Sequence, residues 1–141
     1  MKTKLLIASL LMLIAINFSF GQKKKDKQHK VLFHLATADT LAYKALVRQL
    51  SNVLEVWPTA KIEVVVHNNG IGFMKKEETH YAKEIGALSE RGVTFAVCEN
   101  TMKQRKLEKS QILTVATYVP VGLAEVVMKQ EEGWSYIKAG F

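Results

Sequence analysis

The chain reads as an α/β protein, a three-layer, doubly wound, mostly parallel five-stranded sheet. Three observations lead there. Short apolar runs recur at Val31–Ala36, Ile62–His67, Val93–Cys98, Val115–Val119 and Trp134–Ile137. Stretches with helical spacing or helix caps separate them. The runs are nearly continuous in apolar residues rather than strictly alternating, as in parallel strands covered on both faces. Right-handed crossovers then distribute the helices over the two sides of the sheet.

The elements follow in order. After the first strand, Asp39 is placed to cap a helix, its carboxylate accepting orphan N–H groups at the positive helix end. Ala42, Leu46, Leu50, Val53 and Trp57 form one apolar face of that helix, and Pro58 stops it. The second strand runs into Asn68-Asn69-Gly70-Ile71-Gly72, and a helix over about Lys75–Arg91 follows, with Tyr81, Ile85 and Leu88 inward and Gly92 as its stop. Beyond the third strand a short charged helix is expected over about Met102–Lys109, capped by Asn100 or Thr101. The fourth strand stops at Pro120, and a brief helix over Gly122–Gln130 leads to the last strand. No internal repeat or second domain is evident.

Residues 1–21 have the layout of a secretory signal peptide: a basic start, an apolar run from Leu5 to Phe20, and Ser19-Phe20-Gly21 at the cleavage site. The run is short for a membrane span of ~20 residues, so cleavage and export to a periplasmic or extracellular location are expected, with no stable membrane insertion afterwards. Because no cysteine follows the run, a lipid anchor is excluded. Residues 22–30 form a basic leader, five lysines against one aspartate, which reads as solvated and disordered. Residues 31–141 carry thirteen Lys/Arg and twelve Asp/Glu, so the single domain itself is near neutral. The lysine run lacks interleaved aromatics, and nucleic-acid binding is not expected. A lone cysteine, Cys98, permits no intrachain disulfide, and the fold must stand on its apolar core.

Parallel α/β sheets keep their sites beyond the carboxyl ends of the strands. Thr37–Asp39, His67–Gly72, Cys98–Thr101 and Pro120–Gly122 should therefore share one edge. Cys98 there lies just before a helix N-terminus, which favours the nucleophilic thiolate. His67 at the neighbouring strand end is a possible assisting base, whereas the adjacent Glu99 opposes thiolate formation. Asn68–Gly72 offers backbone N–H groups to an anion, though a turn needing Gly and Asn explains it more simply. The glycine fingerprints of dinucleotide and flavin sites are missing, and no cofactor is expected. His34 reads as a satisfied core residue, His80 as exposed, and His29 as part of the leader. No spacing suits a metal, and Ser110 and Ser135 lack a nucleophile elbow.

Val31–Phe141 as a whole resembles the DsrE/DsrF-like family, in its signal-peptide-bearing branch. The resemblance is carried by Asp39, by Ser51-Asn52, by Ile62-Glu63-Val64-Val65-Val66-His67-Asn68-Asn69-Gly70-Ile71-Gly72, and by Arg91-Gly92-Val93-Thr94-Phe95-Ala96-Val97-Cys98-Glu99-Asn100-Thr101. It continues through Val119-Pro120-Val121-Gly122, Lys129-Gln130 and Gly133-Trp134-Ser135-Tyr136-Ile137-Lys138. It implies a compact sheet close to the flavodoxin type, assembled as a trimer or hexamer. It also implies sulfur relay, in which a cysteine after the third strand carries sulfur as a persulfide between donor and acceptor proteins; Cys98 matches that position. The family's small-residue stretch and paired-arginine turn are replaced here by Glu99-Asn100-Thr101-Met102-Lys103-Gln104-Arg105-Lys106.

Two functions compete on this reading. One is a single-thiol sulfur carrier, with Cys98 as acceptor, His67 assisting and Thr101 helping to stabilise the anion. The other is a non-catalytic oligomeric module whose strand-end pocket, lined by Asn69, Gly70, Cys98 and Asn100, holds a small ligand or partner loop. A plain scaffold, with Trp134, Tyr136 and Phe141 on its assembly surface, is the third possibility.

Overall fold

A computed structural model describes residues 28–140. The expected signal peptide, residues 22–27 of the leader, and Phe141 lie outside the described residues. The strands are β1 (Lys30–Leu35), β2 (Lys61–Val66), β3 (Val93–Cys98), β4 (Ala116–Val119) and β5 (Ser135–Lys138). The helices are α1 (Thr40–Val56), α2 (Ala82–Glu90), α3 (Glu99–Gln104) and α4 (Gly122–Glu131), with short 3-10 turns at Asn68–Met74 and Lys109–Gln111.

The sheet order is β4-β3-β2-β1-β5, and every pairing is parallel. From β1 to β4 the chain steps in one direction. It then crosses back through α4 to lay β5 beside β1. Right-handed crossovers put the connections of the outward steps on one face and α4 on the other. The reversal therefore falls between β1 and β5, unlike flavodoxin's order 2-1-3-4-5, which turns back after its second strand.

The two faces differ in chemistry. The first, under α1 and α2, holds the main core: Val31, Phe33 and Leu35 of β1, Ile62, Val64 and Val66 of β2, and Phe95 and Val97 of β3. Leu46, Leu50 and Leu54 of α1 and Ile85 and Leu88 of α2 close over them. The second face has a thin apolar layer of Leu32, Val65, Ala96 and Val126. Between these lie His34, Glu63, His67 and Cys98, so α4 covers the polar side of the sheet.

Asp39 is the N-cap of α1, its carboxylate accepting the Leu41 N–H at 2.8 Å. Asp39→Ala should cost about 1 kcal/mol, read as a lower urea midpoint with an unchanged slope. On α1, Tyr43 and Leu54 are buried along with the expected Ala42, Leu46 and Leu50. Leu54, four residues after Leu50, takes the inward place assigned to Val53. Trp57 lies beyond the last turn, 40% exposed and stacked on His29.

Two helices begin elsewhere than their patterns suggest. The backbone around Lys75 and Lys76 is used in pairing instead: Lys76 N–H donates to the Gln111 carbonyl at 2.9 Å and Leu113 N–H to Met74 at 2.9 Å, and the Glu78 and Thr79 N–H groups then turn back to the Lys75 carbonyl. The preceding 3-10 turn drives Ile71, Phe73 and Met74 into the core. Only from Ala82 is the chain free to coil. After β3, α3 starts at once at Glu99 and ends at Gln104. Lys106, with φ of 53°, closes it as the left-handed residue of a Schellman motif, Leu107 N–H reaching the Met102 carbonyl at 2.9 Å.

Candidate functional site

Because the strands are parallel, their carboxyl ends gather on one edge, bringing together the segments after β1, β2, β3 and β4. Cys98 ends β3 and is itself the N-cap of α3, the role assigned above to Asn100 or Thr101. Its Sγ accepts the N–H of Thr101 at 3.4 Å and that of Gly122, the first residue of α4, at 3.2 Å. The Thr101 hydroxyl accepts the Asn68 N–H at 3.0 Å, which leaves its own proton for the sulfur. Burial alone would raise the thiol's pKa. The Thr101 hydroxyl and the Gly122 and Thr101 N–H groups outweigh it, and the thiol titrates below its ordinary range.

Glu99, the unfavourable neighbour, turns away and pairs with Lys109 at 2.8 Å. Cys98 is nonetheless only 3% exposed. Its lid is the first turn of α4: a Cβ on Gly122 would lie 3.3 Å from the Cys98 Cβ and 3.1 Å from the His67 Cβ. Glycine is what lets the helix start this close to both residues.

His67 follows β2 and is joined to His34 of β1, Nε2 to Nε2, at 2.5 Å. With ring centroids 4.7 Å apart and planes within 8°, the imidazoles meet edge to edge. His34 Nδ1 in turn meets the Tyr136 hydroxyl of β5 at 2.9 Å. Burial holds both histidines below the usual imidazole pKa, and for His34 the nearby His67 and Lys138 add to the effect. A polar row thus crosses the α4 face at the strand ends: Cys98 on β3, His67 after β2, His34 on β1, Tyr136 on β5.

The other proposed residues divide between places. Gly70 is buried against β1, where a Cβ would stand 2.4 Å from the Leu35 carbonyl oxygen. Thr101 is buried behind Cys98, while Asn100 is exposed and donates its N–H to the Pro120 carbonyl at 3.1 Å. Asn69 belongs to a separate pocket of about 420 Å³ beside the start of α1, walled by Thr40, Tyr43, Ile71, Lys75, Glu78 and Arg105 among others. Neither Cys98, Gly70 nor Asn100 reaches that wall. In the pocket, Lys75 is paired with Glu78, and Arg105 donates to the Asn69 amide oxygen at 2.6 Å.

Pattern reading missed His34, Tyr136 and Arg105 as members of these places, whereas Gly122 falls on the strand-end edge where it was expected. Strand parity was the available signal: His34 shares its side of β1 with Leu32, and register pairs those two residues with Lys138 and Tyr136. Among the described residues, no group of three or more His, Cys, Asp or Glu is placed to hold a metal ion. Nor is any helix among them long and apolar enough to cross a membrane.

The model of the DsrE/DsrF-like family matches residues 12–139. The chain belongs to that family. It is also similar to the solved structure of a protein of unknown function, MTH1491, from Methanobacterium thermoautotrophicum. The TM-score is 0.75 at 26% identity, covering 79% of this chain and 99% of that one. No curated protein matches the chain. In this member of the family the strand-end cysteine is polarised but covered.

Proposed function

We propose that this DsrE/DsrF-like protein carries sulfur on Cys98. The observation that carries the reading is the sulfur's environment: two backbone N–H groups and a threonine hydroxyl directed at one thiol beside a helix N-terminus. Such donors stabilise a thiolate more than a thiol. In the transfer, the Cys98 thiolate attacks the outer sulfur of a donor persulfide, R–S–SH. The new Cys98 S–S bond forms as the donor's S–S bond breaks. The donor's inner sulfur leaves as R–S⁻ with the electron pair, and the proton stays on the transferred sulfur. No oxidant or reductant is consumed. The assisting role of His67 in this reading is supported by the cover of Gly122 that it shares with Cys98.

The buried sulfur requires that the first turn of α4 lift before a donor reaches it. The buried apolar layer there is Val126 of the helix on Leu32, Val65 and Ala96 of the sheet, edged by Val119 and Trp134, and local opening of thinly packed elements costs less than global unfolding. The outer face of α4 exposes Leu123, Val127 and Met128, at 56%, 52% and 49%, which supports assembly into a homo-oligomer. The basic start, apolar run and Ser19-Phe20-Gly21 support export, with the donor and acceptor then also outside the cytoplasm.

The test is the alkylation rate of Cys98 on folded protein against pH, read by intact mass, with a parallel incubation in polysulfide. The expected result is a rate that reaches its plateau below the free-thiol value of ~8.5, and a mass gain of one sulfur atom that Cys98→Ser abolishes. A thiol silent until denaturant is added would make Cys98 structural and overturn the carrier.

A second reading rests on the Asn69 pocket, whose Arg105 guanidinium meets an amide oxygen rather than a carboxylate. A small-ligand module using it would keep its binding activity unchanged in Cys98→Ser.

A further inference from the structure

The reversal in strand order leaves a hollow of about 310 Å³ at the carboxyl ends of β1 and β5, walled by His34, Ala36, Thr37, Tyr136, Lys138 and Ala139. Ligand crevices of doubly wound sheets lie at such reversals. No carboxylate lines this one. Its polar groups are an imidazole, a phenol, an ammonium and a threonine hydroxyl.

The histidine pair behind the hollow accepts protons in a restricted way. When both rings are neutral, one Nε2–H donates to the other Nε2 across the 2.5 Å contact. With His34 as that donor, its Nδ1 is bare and accepts the Tyr136 O–H at 2.9 Å. One added proton goes to that Nδ1 and leaves the His34–His67 bond intact. A second would put N–H against N–H and break it. The first proton also reverses the outer bond: Tyr136 becomes the acceptor, and its own O–H is released toward the hollow. A single protonation therefore creates a half-buried positive charge and a free hydroxyl donor beside Lys138.

We propose that this hollow binds a small oxyanion together with one proton, which the His34–His67 pair holds. Lys138 supplies fixed charge, Tyr136 and Thr37 supply hydroxyl donors, and the pair supplies the switchable charge. The groups facing the pair are Tyr136 and Lys138 from β5 and, on the His67 side, the Cys98 thiol of β3; α4 sets only the uncharged Gly122 over His67. The histidine pair is unprotonated at neutral pH, because burial opposes the charge on both rings and His67 and Lys138 oppose it further on His34. A bound anion offsets that opposition. Binding accordingly strengthens as pH falls, and by linkage the anion raises the pair's proton affinity to the same degree. Cys98 does not line the hollow.

The experiment uses sodium sulfate, which does not itself titrate in this range. Calorimetry in two buffers of different protonation enthalpy counts protons, and amide shifts of Thr37 and Lys138 locate the site. The expected result is saturable binding with about one proton taken up per sulfate. It should strengthen up to about tenfold per pH unit lowered across neutrality, the limit for one linked proton. Lys138→Met should weaken binding at every pH, and His34→Gln should remove the pH dependence. Sulfate bound without proton uptake overturns the proposal, as do shifts centred elsewhere or shifts that never saturate. The wild-type proton count and the exposed Lys138→Met variant decide the matter if His34→Gln does not fold.

Discussion

Gly70→Ala is expected to destabilise the fold by about 3 kcal/mol, the upper end of what overpacking costs. The added Cβ would stand 2.4 Å from the Leu35 carbonyl oxygen and 2.9 Å from its carbon. Both are backbone atoms of a strand that ends fully buried, so no side chain can swing aside. The same oxygen accepts the His67 N–H at 3.1 Å, and Gly70 N–H returns to the His67 carbonyl at 3.0 Å. Three elements are thereby tied at one point: the end of β1, the end of β2, and the 3-10 turn that plugs the core with Ile71 and Phe73. Relief of the clash must move Leu35 or the turn, and either movement disturbs His67. Urea unfolding should show a midpoint far below wild type, and the His34–His67 contact should loosen, visible as altered imidazole ¹⁵N shifts. A midpoint unchanged from wild type would mean that the turn slides freely and that the close approach is not a constraint.

The fold was readable because its evidence is local. Five β-prone runs, a cap at Asp39 and stops at Pro58 and Gly92 each act over a few residues, and they agree with one another. The family resemblance covered the same ground. The site was less readable because it depends on which strands lie side by side. His34 belongs to a run of apolar residues and reads there as one more core position. It gains its meaning only when β5 returns to the far side of β1 and brings Tyr136 and Lys138 with it. Likewise Glu63 and, just past the end of β2, His67 share with Val65 the face turned away from the main core. A reading of the run as uniformly apolar hides the fact that its polar members share a face. Cys98 was rightly set at a helix N-terminus, but as the cap itself, because nothing local shows that α3 starts without a connecting turn. The helix expected over residues 75–91 failed in its first half for a non-local reason too: pairing with residues 111–113 claims the backbone around Lys75 and Lys76.

The same polar face makes the second large prediction. Lys129→Met should cost about 3–5 kcal/mol at neutral pH, the loss expected when a buried charge is stripped of its partner. Lys129 reaches Glu63 at 3.0 Å and Glu125 at 3.5 Å and lies over the Trp134 ring at 4.7 Å. Glu63 is 6% exposed, and its Oε1 has no hydrogen-bond partner among the described residues. Methionine keeps the apolar stem and removes only the ammonium. The two partners respond to the pair in opposite senses. Burial opposes the Lys129 charge, but Glu63 and Glu125 outweigh it and its pKa rises. The Glu63 pKa also rises, because burial, with Glu125 adding, outweighs the attraction of Lys129. The carboxylate keeps less solvent than the ammonium, so the desolvation falls mainly on Glu63.

A carboxyl whose pKa is raised by folding binds its proton more tightly in the native state. Its ionisation therefore costs stability as pH rises, and the loss is recovered as pH falls toward the ordinary glutamate value of about 4.3. Lys129 stays charged throughout that window and loses its own proton only at alkaline pH, so Glu63 is the group that titrates there. Without Lys129, Glu63 is raised further still, so the stability gap between variant and wild type should narrow from pH 7 down to about pH 4.5. Urea midpoints at the two pH values measure this, and a gap independent of pH would assign the loss to packing rather than charge. The consequence extends to the thiol. α4 is held to the sheet by Gly122 over Cys98 at one end and by this ion cluster at the other, with Val126 the one buried apolar residue between them. Weakening the far end should lift the near one, and Cys98 alkylation should accelerate in step with the loss of stability. If the rate stays at the wild-type value while the fold weakens at pH 7, the first turn of α4 opens by itself, and access to Cys98 is governed by Gly122 alone.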